Sequence, residues 1–432
     1  MSYKTYPEYK NSNNIWAGKI PIHWEIHKIK NLIFFQEGPG LRNWQFTDDG
    51  VRVICVTNIT SNGIDFSNYE KFISEDEYKQ TYSHFTVDQG DLLLSSSGNS
   101  WGKVAEYTDD ETVILNTSTI RINKNPTSDY ELKQPYIKWA LQSEYIREQL
   151  GLMMTGSCQP NFGPTHLAKV SILMPTIKEQ QQIANYLDKK TDKIEETIAK
   201  NKQLIELLEE KRTALINQVV TKGLNPNVLM KDSGVEWIGE IPEHWEITKV
   251  KHELDILDHK RVPLSAEVRS DMDRIYDYYG ASGIIDKVDS YLFDGKYILV
   301  GEDGANLLSR STPLAFIAEG KFWVNNHAHI LSPKYGNNID YFVSLLEATD
   351  YTPFIEGSAQ PKLTADNLKN IILIKPPLLE QNEIAIFLNS QLTHIHETLS
   401  KIKNNINLLE EYKTSLIHHV VTGKIDVRGE EI

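Results

Sequence analysis

Two stretches of the chain share a seven-residue apolar beat. Leu187, Ile194, Asn201, Leu208 and Leu215 recur at that interval, as do Leu388, Ile395, Ile402, Leu409 and Leu416. Ile183, Ile198, Leu204, Ile205 and Val219 widen the first stripe on the same side. A heptad pattern held over about forty residues predicts a coiled-coil helix roughly 60 Å long. Asn201 falls on the seam, where a polar side chain lowers stability and fixes register. Thr176 and Glu179 fit a capping box at the first helix entry; the second has Pro377 in place of the threonine and lacks that cap. Gly223 and Gly423 are placed to close the helices as left-handed caps. Plain amphipathic core helices are the alternative, but the length and strict period favour a paired coil.

Ahead of each helix the pattern changes to short β-branched or aromatic runs ended by Gly, Asn, Asp or Ser. VRVICVTNI, GDLLLSS and TVILNTSTIRI lie in the first body, KYILVGEDG and KFWVNNHAHIL in the second. Shorter helical patterns, QPYIKWALQSEYIREQL and IDYFVSLLEAT, follow them. Each body is expected to be an α+β domain.

The helices are parts of a larger duplication. WAGKIPIHWEIHKIK, from Trp16, returns as WIGEIPEHWEITKVK from Trp237. A second match runs from GSCQP (156–160) against GSAQP (357–361) to the helix ends, without a gap over about 65 residues, with roughly two in five identical. Residues 31–155 and 252–356, which lie between the matched ends, show little mutual resemblance. Each unit thus reads as a variable body held between shared ends. The linker 222–236 reaches at most ~50 Å when extended, so the second body begins near the far end of the first helix. The expected architecture is α+β: two tandem pseudo-symmetric units, each a β-rich domain followed by a long helix, the two helices forming an antiparallel coiled coil. The boundaries are 1–178 and 179–221 for the first domain and helix, 222–236 for the linker, 237–379 and 380–422 for the second pair, and 423–432 for a C-terminal tail.

Composition sets the chemistry. The 432 residues are 40% hydrophobic and 24% charged, as in a soluble globular protein. No run of about 18 apolar residues suggests a membrane span, and the polar N-terminus lacks a signal-peptide core. Cys55 and Cys158 show no metal-ligand spacing, and a reducing cytoplasm suits them. The formal charge is −14, and each variable body is itself net negative, about −8. That balance opposes any nucleic-acid reading, because duplex binding normally rests on Lys and Arg.

Motifs for catalysis are missing: there is no GxxxxGK[ST], strand-linked GxGxxG, GxSxG elbow or HExxH. NPNV at 225–228 reads as a linker turn, and GEDG at 301–304 as a turn rather than an acid–base pair. His327 and His329 have a strand spacing compatible with metal ligation, but no Cys or acidic partner lies near them in sequence. Loop clusters are more informative. The first body offers Arg42, Asn43, Trp44, Asn58, Ser97, Asn99, Trp101, Lys103, Asn116 and Gln159. The second offers Lys260, Arg261, Arg269, Tyr279, Ser282, Asn306, Asn325, Asn326, His327 and Gln360. Arg, Asn and Ser hydrogen-bond base edges, while Arg, Lys and backbone amides hold phosphates. Taken singly, each cluster also fits a solvated turn; their presence in both bodies gives them weight.

With these features on the page, the chain resembles a specificity subunit of a type I restriction–modification enzyme. The doubled WxGxIPxHWEI, the doubled GSxQP, the helix entries PTIKEQQQIA and PPLLEQNEIA, and YYGASGIIDKVDSYLFDGKYILVGEDGAN carry the resemblance. It implies two target recognition domains, each reading one half of a bipartite asymmetric sequence in double-stranded DNA. The helices would set the spacing and dock two modification subunits through a seam that includes Leu187, Ile194, Leu208, Leu215, Leu388, Ile395, Leu409 and Leu416. The chain itself would be non-catalytic and cytoplasmic, without a cofactor. S-adenosylmethionine, ATP and Mg would belong to the modification and restriction/translocase subunits. A coiled-coil adaptor with two β-rich modules, and an acidic mimic of DNA, are alternatives that fit the charge. The mimic leaves the duplication unexplained, and the adaptor would not co-purify with a methyltransferase.

Overall fold

The computed structural model describes residues 3–60, 63–154, 160–357 and 360–430. Residues 1–200 with 404–432 make one compact unit, and residues 201–403 make the other. The division falls inside both long helices, Ile177–Lys222 and Leu378–Val421. In the first unit, Lys413 of the second helix pairs with Glu195 of the first. In the second unit, Ile216, Val219 and Val220 share a core with Ile384 and Leu388. Within each unit, then, the leading half of one helix accompanies the trailing half of the other.

The apolar stripe is most deeply buried toward the helix ends. Leu187, Ile194, Leu388, Ile395 and Leu416 are buried. Leu208, Leu215, Ile402 and Leu409 are half-buried. Leu204, expected on the buried side, is 43% exposed. The stripe therefore narrows where each helix lies far from a domain core. Gly223 and Gly423 take φ of 74° and 70° and end the helices in the left-handed region, which glycine enters without the Cβ penalty.

The repeated segment IPxHWEI meets the start of a long helix in each unit. His23 Nε2 lies 2.9 Å from Glu179 Oε1, and the Trp24 indole donates to the same oxygen at 3.4 Å. His244 Nε2 lies 2.7 Å from Glu380 Oε1, and Trp245 donates to Oε2 at 3.0 Å. Thr176 and Glu179 exchange capping bonds as expected, the Glu179 amide donating to Thr176 Oγ1 at 3.3 Å. Burial alone would raise the Glu179 carboxyl; hydrogen bonds from His23 and Thr176 hold it below the usual range. The adjacent glutamine of each entry is equally engaged. Gln180 Oε1 accepts the amide of Lys133, and Gln381 Oε1 that of Asn338, both at 2.9 Å. Those amides precede the domain helices Gln134–Gln142 and Ile339–Ala348. The strand after the motif, Glu25–Lys28 or Glu246–Lys249, pairs antiparallel with Ser171–Met174 or Ile372–Lys375. One repeated sequence thus joins the start of a domain, its end and its helix.

Residues 425–427, part of the expected tail, belong to the first unit's core. Ile425, Asp426 and Val427 are buried. The Asp426 amide donates to Lys4 O at 2.8 Å, and Tyr9 Oη donates to Gly423 O at 3.1 Å.

Both variable bodies are sheet-rich. The first has an antiparallel sheet in the order Val104–Glu106, Leu92–Ser95, Thr119–Lys124, Ile33–Glu37. Beside it stands a sheet ordered Phe72–Ile73, Val51–Ile54, Val113–Leu115, Thr86–Val87. The second body has one six-stranded sheet: Leu254–Ile256, Ala328–Pro333, Phe293–Gly301, Ala315–Val324, Tyr276–Gly280, Gly283–Val288. Among the described residues each body contains one parallel pair, Val51–Ile54 with Val113–Leu115 and Tyr276–Gly280 with Ala315–Val324. Despite unrelated sequences, the two bodies share this arrangement.

Candidate nucleic-acid interface

The shared arrangement extends to main-chain bonds that gather loops at one end of each body. Gly98 donates its amide to Pro160 O at 3.0 Å, and Gly304 donates to Pro361 O at 3.1 Å. Phe162 N reaches Ser96 O at 3.1 Å, as Leu363 N reaches Glu302 O at 2.7 Å. Ser96 N binds Ser118 O at 2.9 Å, as Glu302 N binds His327 O at 2.8 Å. Asn116 N binds Ile54 O at 2.9 Å, as Asn325 N binds Tyr279 O at 3.0 Å. The proline acceptors are those of the repeated GSxQP. That repeated segment therefore fixes the loop of the variable body. Gly98 and Gly304 both have positive φ, 63° and 99°, as a tight turn at this junction requires. Gly38 belongs to the same assembly: a Cβ there would stand 2.2 Å from Asn116 O.

The wiring sorts the residues singled out from sequence. In the first unit, Arg42, Asn43 and Trp44 are exposed on the turn Asn43–Gln45, Trp44 to 80%. Buried Gln45, which the sequence did not single out, fixes that turn by accepting Arg42 N at 2.9 Å and donating to Glu77 and Tyr82. Asn99 and Lys103 are exposed on the pinned loop. Trp101 is half-buried, 4.4 Å beneath the Arg147 guanidinium, a packing partner with no sequence signal of its own. Three candidates serve the fold. Asn58 is 1% exposed and satisfies Cys55 N, Asp65 O and Tyr69 O. Ser97 is buried, and Asn116 bonds Cys55 Sγ and Thr117 N. Gln159 and Cys158 lie outside the described residues.

In the second unit, Lys260, Ser282, Asn326 and Gln360 are exposed, and His327 is exposed with Nδ1 2.8 Å from Asp303. Arg261 is turned inward: it donates to Glu302 Oε2 at 2.6 Å and Ala328 O at 2.8 Å. Arg269 pairs with Asp286 at 2.9 Å and lies over the Tyr278 ring. Tyr279 is a core residue against Phe316 and Phe322. Asn306 closes its own loop through Thr312 and Ser311, and Asn325 is buried with its Oδ1 on His327 N. Their residue types match base-reading chemistry, but the topology uses the same hydrogen-bonding capacity to shape the loops.

His329, fully buried, faces Asp258 Oδ2 at 2.6 Å through Nδ1 and Leu363 O at 2.8 Å through Nε2. Asp258, Glu302 and His329 offer three close ligand atoms. Arg261, bonded to Glu302 and 3.4 Å from Asp258, already supplies the compensating positive charge. Burial would raise the Asp258 carboxyl, but His329, the Ile330 amide and Arg261 hold it below its ordinary value. The acidic balance is likewise local: Arg52 pairs with Glu70 and Glu111, and Arg121 lies beside Asp88 and Asp91. Of the cationic candidates, Arg42, Lys103 and Lys260 are exposed, whereas Arg261 and Arg269 are engaged in ion pairs.

No helix among the described residues is long and apolar enough to cross a membrane. Comparison with known proteins places these features in a family. A putative type I restriction enzyme MjaX specificity subunit of Methanocaldococcus jannaschii is 26% identical over 97% of each chain. A putative type I restriction enzyme specificity subunit, S.HindORF215P, of Haemophilus influenzae is 32% identical, the match spanning 38% of each chain. A solved chain from work on complex assembly and conformational transition of the type I R-M system shares the fold. Its TM-score is 0.69 at 13% identity, over 93% of this chain and 98% of that one. Residues 21–207 and 242–408 both match the type I restriction modification DNA specificity domain, and the chain belongs to that family of specificity subunits.

Proposed function

We propose that this chain reads a bipartite, asymmetric sequence in double-stranded DNA, one target recognition domain to each half-site. One observation carries the reading: both bodies hold equivalent loops by the same main-chain bonds and furnish them with different side chains. A common frame with unlike surfaces suits the recognition of two unlike half-sites. Arg42, Asn43, Trp44, Asn99, Lys103 and Trp101 face the first half; Lys260, Ser282, Asn326, His327 and Gln360 face the second.

The long helices act as the spacer, joined as an antiparallel coiled coil, and offer their flanks to two modification subunits. Restriction/translocase subunits join that core. Methyl transfer, with S-adenosylmethionine, and ATP- and Mg-dependent translocation and cleavage are then the work of the partners, and this chain's part is positioning. Because the chain carries a formal charge of −14, the subunit alone binds DNA weakly and the assembly binds it tightly, the partners supplying phosphate contacts.

Exchange of residues 31–155 for another reader tests the proposal, with modified adenines mapped in DNA methylated by the assembled enzyme. A change confined to one half of the motif is expected. A change in both halves, or sequence-selective nanomolar binding by the isolated chain, contradicts it.

A further inference from the structure

The two readers brace their loops with different side-chain networks. In the first unit the residue at the junction is Ser96, whose buried Oγ has no hydrogen-bond partner among the described residues. Ile120, paired with Leu94, occupies the strand position that His329, paired with Val300, occupies in the second. Glu302 stands where Ser96 stands, as their shared bonds to the neighbouring loops show. The first junction holds one carboxylate, Glu37, paired with Ile120 and accepting the Ser118 amide at 3.2 Å, whereas the second gathers His329, Asp258, Arg261 and Glu302 into a network of ions.

We propose that His329, Asp258, Arg261 and Glu302 are the positioning residues of the second reader, fixing its loops without touching DNA. This rests on the DNA-recognition reading above. The four members come from three segments. Asp258 and Arg261 lie on the turn that carries Lys260. Glu302 opens the GEDG loop, and His329 lies in the strand after Asn326 and His327. His329 also reaches Leu363 O, in the segment that follows Gln360. Both partners of the imidazole are acceptors, so the ring fills the two bonds by donating from both nitrogens. Arg261 Nη1 donates to Glu302 Oε2 and Ala328 O, with Asn326 O at 3.4 Å, while Nε donates to Asp258 O at 3.3 Å and Nη2 lies 3.4 Å from Asp258 Oδ2. Side chains only 14% exposed for Arg261 and 1% for His329 leave little surface for a base. A guanidinium satisfies several acceptors in fixed directions, which an ammonium does not. Loss of His329 or Arg261 removes the shorter of the ion contacts to Asp258 or Glu302 and leaves these carboxylates with the longer contacts to Arg261 and Lys362, at 3.4 and 3.3 Å.

The test uses the complete assembly with its modification subunits. The wild-type motif is mapped from modified adenines, and affinities are measured for three duplexes: the full motif and versions with one half replaced. His329→Phe and Arg261→Lys are expected to lower discrimination at the second half at least tenfold and leave the first half unchanged. In His329→Phe, added Asp258→Asn is expected to restore part of it, because the carboxylate that has lost its shortest cationic contact is neutralised. Should His329→Phe fail to fold, Arg261→Lys decides alone. Unchanged discrimination in Arg261→Lys, or an equal loss at both halves, overturns the proposal while leaving the recognition reading intact. A wild-type assembly with no bipartite motif overturns the reading itself.

Discussion

Gly423, at the end of the second long helix, packs against the indole of Trp24 near the beginning of the chain. A Cβ on this glycine would lie 2.5 Å from Pro21 Cδ and 3.2 Å from Trp24 Cη2. Gly223 stands in the same relation to Trp245 in the other unit, where the added Cβ would lie 3.1 Å from Cζ2. The end of each long helix therefore seats the entrance motif of the unit it completes, so the first unit needs both ends of the chain.

Gly423→Ala combines a left-handed backbone with a clash against a proline ring, and is expected to cost about 2–4 kcal/mol. Gly223→Ala meets only the edge of an indole and is expected to cost about 1–2 kcal/mol. Urea unfolding of the two variants checks the order; equal losses would show that the Pro21 contact relaxes freely.

The His23–Glu179 cluster predicts an acid-dependent loss of stability. The folded carboxyl lies below its unfolded value of 4.5. Its contribution is therefore complete above that value and is lost as pH falls through the lower folded one. Glu179→Gln should lower stability at neutral pH and flatten the dependence below about pH 4.5. Thermal melting of both proteins from pH 7 to 3 measures this; parallel curves would refute it.

Trp44 and Asn58 should separate in their effects. Trp44→Ala removes an exposed side chain and is expected to shift stability by less than about 0.5 kcal/mol while weakening DNA binding by the assembly. Asn58→Ala strips three buried bonds and is expected to cost about 1–3 kcal/mol. Chemical unfolding paired with binding to the mapped duplex distinguishes them.

Half-buried seam leucines make a separate case. Leu208→Asp with Leu409→Asp should leave both domains folded, judged by near-ultraviolet circular dichroism, and reduce recovery of the assembly with two modification subunits. Full recovery would mean that neither position contributes to the seam or to docking.

The frame was legible because it is written twice. The helix stripe, its glycine ends and the Thr176–Glu179 cap follow from local chemistry, and the repeat marked IPxHWEI as structural before its partners Glu179 and Glu380 were visible. The readers were legible as β-rich bodies but not as copies of one arrangement. Main-chain bonds such as Gly98 to Pro160 leave no trace in side-chain identity except the repeated proline. The same reason explains the divided list of candidates. Residue type identified groups able to hydrogen-bond a base, but Asn58, Arg261, Arg269 and Asn306 are satisfied by their own backbone or by nearby acids. Only topology supplies those neighbours. His329 acquired its acidic neighbours Asp258 and Glu302 in the same way, across strands distant in sequence.

The main-chain pins at Gly98 and Gly304 carry a consequence for variation. A loop held by amides and carbonyls has a shape that survives almost any change in its projecting side chains. Proline is the exclusion at each donor position, since it has no N–H to give. A lineage can therefore rewrite what either domain recognises by point mutations at exposed positions, without first inventing a new fold to display them.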